Sequence, residues 1–267
     1  MFALIFAAGL GTRLRPLTDT MPKALVPLAG HTLLEYQISK LKAVGITDII
    51  INVHHFPDMI IDYVREHDGF GCNVLFSDER EALLETGGGL RKAWNTFAAN
   101  SDEPLMALNA DILSTIRLED VLAAYRQAAT GSQLSGLLVV RRRNTQRYLC
   151  FDETNRLVGW TNIATGETRP ASFALINQQL STVNCQLSTI SHLAFSGMQI
   201  LSPSVLPMLN RYAAQAGDRF SIIDFYLSTL PDGCFIGYEA QGELLDVGKI
   251  DHLAEAEAFA ANLPFFS

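Results

Sequence analysis

Between residues 2 and 108 the sequence switches repeatedly from short apolar runs to amphipathic segments of helical period, and that alternation allows few architectures. Residues 2–7 (FALIFA) are apolar throughout, as expected of a strand buried on both faces of a parallel sheet. Residues 32–44 carry Leu33, Leu34, Ile38, Leu41 and Val44 on a helical period and stop at Gly45. The same reading gives a strand over 48–53, a helix over 57–66, a short strand over 73–76, a helix over 89–98 and a strand over 105–108. Strand–helix–strand units at this spacing close right-handed and leave ligand sites at the C-terminal ends of the strands.

The second half is less regular. Residues 118–129, 205–212, 222–230 and 251–261 read as helices, and 134–140, 148–151, 157–160, 190–195 and 234–238 as extended. With no Pro/Ser-rich linker and no internal repeat, the expected fold is one α/β body: a Rossmann-like mixed sheet with a smaller antiparallel extension. Two lobes, 1–115 and 116–267, would share that sheet. Hydrophobic residues make up 48% of the chain and charged ones 18%, which rules out disorder along its whole length. The net charge of −8 argues against general nucleic-acid binding, which rewards a basic surface.

The opening apolar stretch is shorter than the ~18 residues a membrane span needs. No cation precedes it, so it does not read as a signal peptide, and the expected compartment is the cytoplasm. Cys72, Cys150, Cys185 and Cys234 form no CxxC and are expected to be reduced, small hydrophobic residues. The sequence carries no sign of oligomerisation, and a monomer is compatible with it. Leu253, Ala256 and Phe259 share one face of the last helix, which packs on the chain's own core or on another surface.

Gly9-Leu10-Gly11 directly follows the first strand, and Arg13, Arg15 and Lys23 come next with Asp19 the one acid among them. Glycine lets the backbone approach a ligand closely, and exposed amides in such a turn form an anion-binding nest. Arg13 offers a planar fork for phosphate oxygens and Lys23 a mobile point charge. In so acidic a chain this is a candidate polyphosphate site. It is neither a dinucleotide fingerprint, which would need glycine where Leu14 stands, nor a P-loop, which would need Gly-Lys-Ser/Thr where Gly11-Thr12-Arg13 stands. Ordinary turn chemistry remains the alternative for Gly-x-Gly by itself.

The segment as a whole resembles the signature of the sugar-1-phosphate nucleotidylyltransferases, G-x-G-x-R-[LM]-x-P-L-T followed by P-K-x-L-x-P. The matching positions are Gly9, Gly11, Arg13, Leu14, Pro16, Leu17, Thr18, Pro22, Lys23, Leu25 and Pro27. Leu84-Glu85-Thr86-Gly87-Gly88-Gly89, Asn109-Ala110-Asp111, residues 195–200 and Leu245-Asp246-Val247-Gly248-Lys249 extend the resemblance along nearly the whole chain. Within the family the N-terminal segment and the Glu85–Gly89 loop are most similar to the N-acetylmuramate-1-phosphate uridylyltransferase type, and next to the mannose-1-phosphate guanylyltransferases.

The resemblance implies the nucleotide-diphospho-sugar transferase type of Rossmann-like fold, in which the antiparallel lobe binds sugar. It implies a nucleotide site at Ala7, Ala8, Gly9, Gly11, Thr12, Arg13, Lys23, Glu85, Gly88 and Asn109. It implies catalytic roles for Arg13, Lys23 and Asp111, and Mg²⁺ between Asp111 and Asp246. Trp160, Asn162 and Gly197 would face the sugar. The partners would be an NTP and a sugar 1-phosphate, giving NDP-sugar and pyrophosphate.

Local chemistry offers other readings. Asp111 could simply cap a turn, Asp246 could be an ordinary loop carboxylate, and Glu85 could serve a helix dipole. Trp160 could be a core residue. The four arginines at 141, 142, 143 and 147 suit a solvated edge strand, with Arg147 on the acceptor phosphate as the alternative. His54-His55 reads as core or surface rather than metal-binding. The polar stretch 165–190 could reshape a sugar pocket. A catalytically silent nucleotide-sugar sensor on the same fold is the competing function, but it would be expected to have lost one of Arg13, Lys23, Asp111 or Asp246. A phosphocholine acceptor would need an aromatic or acidic cage, which the sequence does not suggest.

Overall fold

A computed structural model describes residues 1–130, 133–173 and 190–263. The first half runs β1 (Phe2–Phe6), the short pair β2 (Pro27–Leu28) and β3 (His31–Thr32), α1 (Leu33–Ala43), β4 (Asp48–Val53), α2 (Pro57–Glu66) and β5 (Asn73–Asp78). It continues through α3 (Glu85–Phe97), β6 (Leu105–Asn109), β7 (Ile112–Ser114) and α4 (Leu118–Ala129). The second half runs β8 (Gly136–Arg141), β9 (Arg147–Phe151), β10 (Leu157–Asn162), β11 (Glu167–Arg169) and β12 (Ser191–Leu201). Helices α5 (Val205–Ala216) and α6 (Ile222–Ser228), strands β13 (Phe235–Glu239) and β14 (Leu244–Asp246), and α7 (Leu253–Ala260) complete it.

The central sheet has the order β5-β4-β1-β6-β12, and β12 continues on its far side to β8 and then β13. All pairings among β5, β4, β1 and β6 are parallel, and β12 runs antiparallel to both β6 and β8. The N-terminal end of β12 also pairs with β9, extending the sheet through an antiparallel β9-β10-β11 layer. Period-two alternation in β1 explains the two faces. Phe2 and Leu4 enter a core with Trp94 of α3 and Phe225 of α6, while Ala3 and Ile5 enter another with Leu34 and Ile38 of α1 and Ile60 of α2. α1 starts on a capping box in which the Thr32 side chain accepts from the Glu35 amide and Glu35 accepts from the Thr32 amide.

Three features differ from the sequence reading. α3 begins at Glu85, before its three glycines, rather than at Gly89, because packing against residues 218–220 overrides the poor helix propensity of glycine. The Arg141–Arg147 stretch is not an edge strand: it links β8 to β9, and β9 lies between β10 and β12. Arg142 there pairs with Glu239 at 3.1 Å. The ladder between β7 and β14 comes from two three-residue strands that show no sequence pattern.

α7 packs on the chain's own core: Ala256 and Ala260 are buried with Leu14, Val26, Leu28 and Tyr36. No helix among the described residues is long and apolar enough to cross a membrane. Cys185 and most of the polar 165–190 stretch lie outside the described residues. Cys150 is buried in β9, and burial pushes its thiol up to about 12.

Candidate active site

At the C-terminal end of β1 the chain turns through Ala7, Ala8 and Gly9 into a left-handed Gly11 (φ 64°) and a 3₁₀ turn over Thr12–Leu14. A side chain at Gly11 would meet that positive φ and place its Cβ 2.8 Å from Thr18 Cγ2. The Thr18 hydroxyl donates to Gly11 O at 2.8 Å, and Leu14 is fully buried. Leu14 and Thr18 therefore support the turn from beneath, while Thr12 and Arg13 stay exposed.

Lys23 opens a later 3₁₀ turn (Lys23–Leu25) and is 9% exposed, and its Nζ donates to Asp111 Oδ2 just beyond β6. Asp246 reaches the same place by a different route. On β14 it stands in register with Ile112 of β7, and the next amide, Val247 N–H, donates to Asp111 O at 3.0 Å. Gly248 completes the arrangement by having no side chain: a Cβ there would lie 2.7 Å from Asp246 Oδ1 and 2.9 Å from Arg13 Nη2. Arg13, Lys23, Asp111 and Asp246 thus converge from four separate segments.

Asp246 Oδ1 is buried and has no hydrogen-bond partner. Such an oxygen is costly unless something is bound to it. Asp111 and Asp246, whose segments are joined by the bond from the Val247 amide to Asp111 O, offer carboxylate oxygens of the kind a hard divalent cation takes. Among the described residues no group of three or more His, Cys, Asp or Glu is arranged to hold a metal ion.

Lys23 and Asp111 line a cleft of about 370 Å³. Its lining includes Ala7, Ala8, Gly9, Lys23, Glu85, Asn109 and Asp111. A second hollow of about 150 Å³ shares Phe6, Thr86 and Asn109 with it and adds Phe195, Gly197 and Gln199. Gly197 sits at the bulge in β12, where pairing with β8 shifts register. Glu85 takes a left-handed conformation (φ 62°) at the start of α3, unusual for a residue with a side chain and common where strain serves a site. Its Oε1 accepts from Arg219 Nε at 3.0 Å.

Of the sequence candidates, Gly11, Thr12, Arg13 and Asp246 belong to neither lining, and Gly88, Trp160 and Asn162 are engaged elsewhere. Gly88 is buried with its amide donating to Phe220 O, and a Cβ on it would lie 2.0 Å from the Asp218 carbonyl oxygen, so its bareness serves helix packing. Trp160 is 7% exposed, with the Arg169 guanidinium 4.3 Å from its ring centroid and Arg169 in turn bonded to Asp224. Asn162 Oδ1 accepts from the Ala164 amide in the β10–β11 turn. The histidines are likewise engaged by backbone: His54 donates through Nδ1 to Glu79 O and His55 through Nε2 to Thr18 O.

Two residues went unnoticed in the sequence. Asn52 and Glu79 are buried at 2% and 1% exposure. Asn52 Oδ1 accepts from the Ala7 and Ala8 amides (2.7 and 3.3 Å), and its Nδ2 donates to Glu79 Oε1 (2.8 Å). Glu79 Oε2 accepts from the Leu84 amide at 3.1 Å. Burial pushes the Glu79 carboxyl above its ordinary value, and the bonds from Leu84 and Asn52 oppose that. The available signal was a polar residue at an inward position of the otherwise apolar IIINV run.

Comparison with known proteins finds similar chains. An N-acetylmuramate alpha-1-phosphate uridylyltransferase of Caulobacter vibrioides is 29% identical over 258 residues, covering 96% of this chain and 95% of that protein. A mannose-1-phosphate guanyltransferase of Gibberella zeae is 39% identical over 127 residues, but these span 47% of this chain and 34% of the relative. The structure of a UDP-glucose pyrophosphorylase complexed with UDP-glucose superposes with a TM-score of 0.71 at 17% identity, over 97% and 98% of the two chains. Residues 2–262 match the nucleotidyl transferase family, and the chain belongs to it as a sugar-1-phosphate nucleotidylyltransferase.

Proposed function

We propose that the protein transfers a uridylyl group from UTP to N-acetylmuramate 1-phosphate, releasing pyrophosphate. The convergence of Arg13, Lys23, Asp111 and Asp246 around a buried oxygen without a partner carries the assignment of the reacting centre. The choice of substrates is supported by likeness to the uridylyltransferase over nearly the full length of both chains.

The acceptor phosphate has a second pKa of about 6, so near neutral pH it is a competent nucleophile without a general base. Its oxygen attacks the α-phosphorus as the bond to the β-phosphate oxygen breaks, and the barrier is repulsion between two anions. The amides of the Gly9–Gly11 turn and the exposed Arg13 guanidinium hold the β- and γ-phosphates that leave together. Lys23, kept in place by Asp111, lies beside the α-phosphate where charge builds up. Mg²⁺ held by Asp111 and Asp246 would neutralise charge on the phosphate oxygens as a Lewis acid. Glu85 meets the base edge and Gly197 faces the acceptor sugar. Alignment and electrostatics supply the catalysis.

The test is a pyrophosphate-release assay crossing UTP, GTP, dTTP, CTP and ATP with a panel of sugar 1-phosphates, with products identified by mass. UTP with N-acetylmuramate 1-phosphate should give the highest kcat/KM. A higher value for GTP with mannose 1-phosphate would transfer the protein to the reaction of its other relatives. Nucleotide binding without turnover on any acceptor would make it a sensor.

A further inference from the structure

We propose that Asn52 and Glu79 form a positioning pair that ties the Ala7–Ala8 turn to the start of α3 and so sets nucleotide affinity. The proposal rests on the reading of the cleft as the nucleotide site. The turn and residues Leu83, Glu85 and Thr86 all line that cleft but come from different βα units. The pair spans the gap between them with no exposed atom of consequence.

Donor and acceptor bookkeeping dictates both residue types. Asn52 Oδ1 is taken by the Ala7 and Ala8 amides, which fixes the orientation of its amide group and turns Nδ2 toward residue 79. The Leu84 amide also points at residue 79. Residue 79 therefore faces two donors, and of the side chains its size only a carboxylate offers an acceptor to each without presenting a donor. A third observation comes from α3. A Cβ on Gly89 would lie 2.6 Å from Glu79 Oε1 and 3.0 Å from Asn52 Nδ2, so the helix approaches the pair at a distance only glycine allows.

Asn52 lines the cleft beside the turn, yet neither side chain of the pair is bonded to Lys23 or Asp111, so the pair should act on nucleotide binding and not on the chemical step. Glu79→Gln keeps size and shape but presents one acceptor to two donors. The exchange Asn52→Asp with Glu79→Gln restores the match. The carboxylate then at position 52 accepts from the Ala7 and Ala8 amides and from the side-chain amide at position 79, whose own oxygen accepts from Leu84. Net charge is unchanged.

The experiment measures KM for UTP, KM for the sugar 1-phosphate, kcat and thermal midpoint for wild type, Glu79→Gln and the exchanged double variant. Glu79→Gln should raise the UTP KM about tenfold, the size expected for one unsatisfied buried donor. Its kcat and acceptor KM should stay within twofold of wild type. The exchange should bring the UTP KM back to within about threefold. A wild-type KM in Glu79→Gln, a fall confined to kcat, or an exchanged variant no better than the single one would overturn the proposal. Loss of the fold in either variant would assign the pair to stability alone and overturn it too. A wild-type protein that releases no pyrophosphate from any nucleotide would instead overturn the proposed reaction.

Discussion

Replacing Lys40 by methionine removes a cation that α1 holds at 4% exposure, where it donates to Ser114 O at 3.1 Å and to Ser114 Oγ. Burial lowers its pKa from 10.5 to about 7, with the Glu119 carboxylate acting weakly the other way. Because the folded value lies below the unfolded one, the unfolded chain binds the proton more firmly between pH 7 and 10.5. Stability should therefore rise with pH across that window, and no further gain comes above it. Each pH unit is worth at most about 1.4 kcal/mol, so the whole window spans about 5 kcal/mol and the stretch from about pH 7 to about pH 9.5 spans about 3. Hydrogen bonds to Ser114 lost in Lys40→Met cost about 1–3 kcal/mol, but that offset does not vary with pH. Urea unfolding of both proteins at several pH values isolates the effect as the difference between two curves, since every other titrating group is common to both. Wild type should gain about 3 kcal/mol on Lys40→Met by about pH 9.5; parallel curves would mean that Lys40 keeps its proton in the folded state.

Four further outcomes follow from the site. Lys23→Ala should lower kcat/KM about 10³-fold with an unchanged thermal midpoint, as loss of one preorganised donor does; turnover near wild type would remove Lys23 from the mechanism. Asp246→Asn should weaken the dependence of rate on divalent cation and shift its titration to higher concentration, and an unchanged titration would take Asp246 out of the ion site. Gly248→Ala places a methyl 2.7 Å from Asp246 Oδ1, and displacement of that order should cost about 10²-fold in kcat/KM without loss of stability; a silent substitution would show that Arg13 and Asp246 need not approach each other. Glu85→Gln should change the ranking of the five NTPs more than the maximal rate, and identical rankings would mean that Glu85 does not read the base.

The sequence discloses most where periodicity and chemistry coincide. β1 and α1 are legible because an unbroken apolar run and a capped 3.6-residue pattern each admit one interpretation. The Gly9–Lys23 segment is legible because three cations beside bare backbone are conspicuous in a chain of net charge −8. What stays hidden depends on contacts between distant segments. Nothing near Gly88 announces the Asp218 carbonyl that occupies the place of its missing side chain. Trp160 and Asn162 have the right chemistry for a sugar, yet Arg169 and the β10–β11 turn engage them. Asn52 and Glu79 lie 27 residues apart and draw no notice until the fold sets them face to face.

The second aspartate hangs on a small element. Asp111 follows a central strand, and β6 is held on both sides by β1 and β12. Asp246 belongs instead to a two-stranded ladder outside the main sheet, and a ladder of two short strands is marginal without further support. That support comes from α1: Gln37 Nε2 donates to Ile112 O at 2.8 Å and Lys40 to Ser114, so both ends of β7 are fastened to a buried helix. α1 is itself seated by Leu34, Ile38 and Leu41 on the face of the sheet opposite Trp94. The position of Asp246 relative to Asp111 is thus fixed through β14, β7 and α1. A core substitution such as Ile38→Ala, remote from any phosphate, should loosen the site's hold on divalent cation before it unfolds the protein. Cation titration of rate in that variant, set beside its melting curve, separates the two effects, and a cation dependence identical to wild type would show that the ladder needs no help from α1.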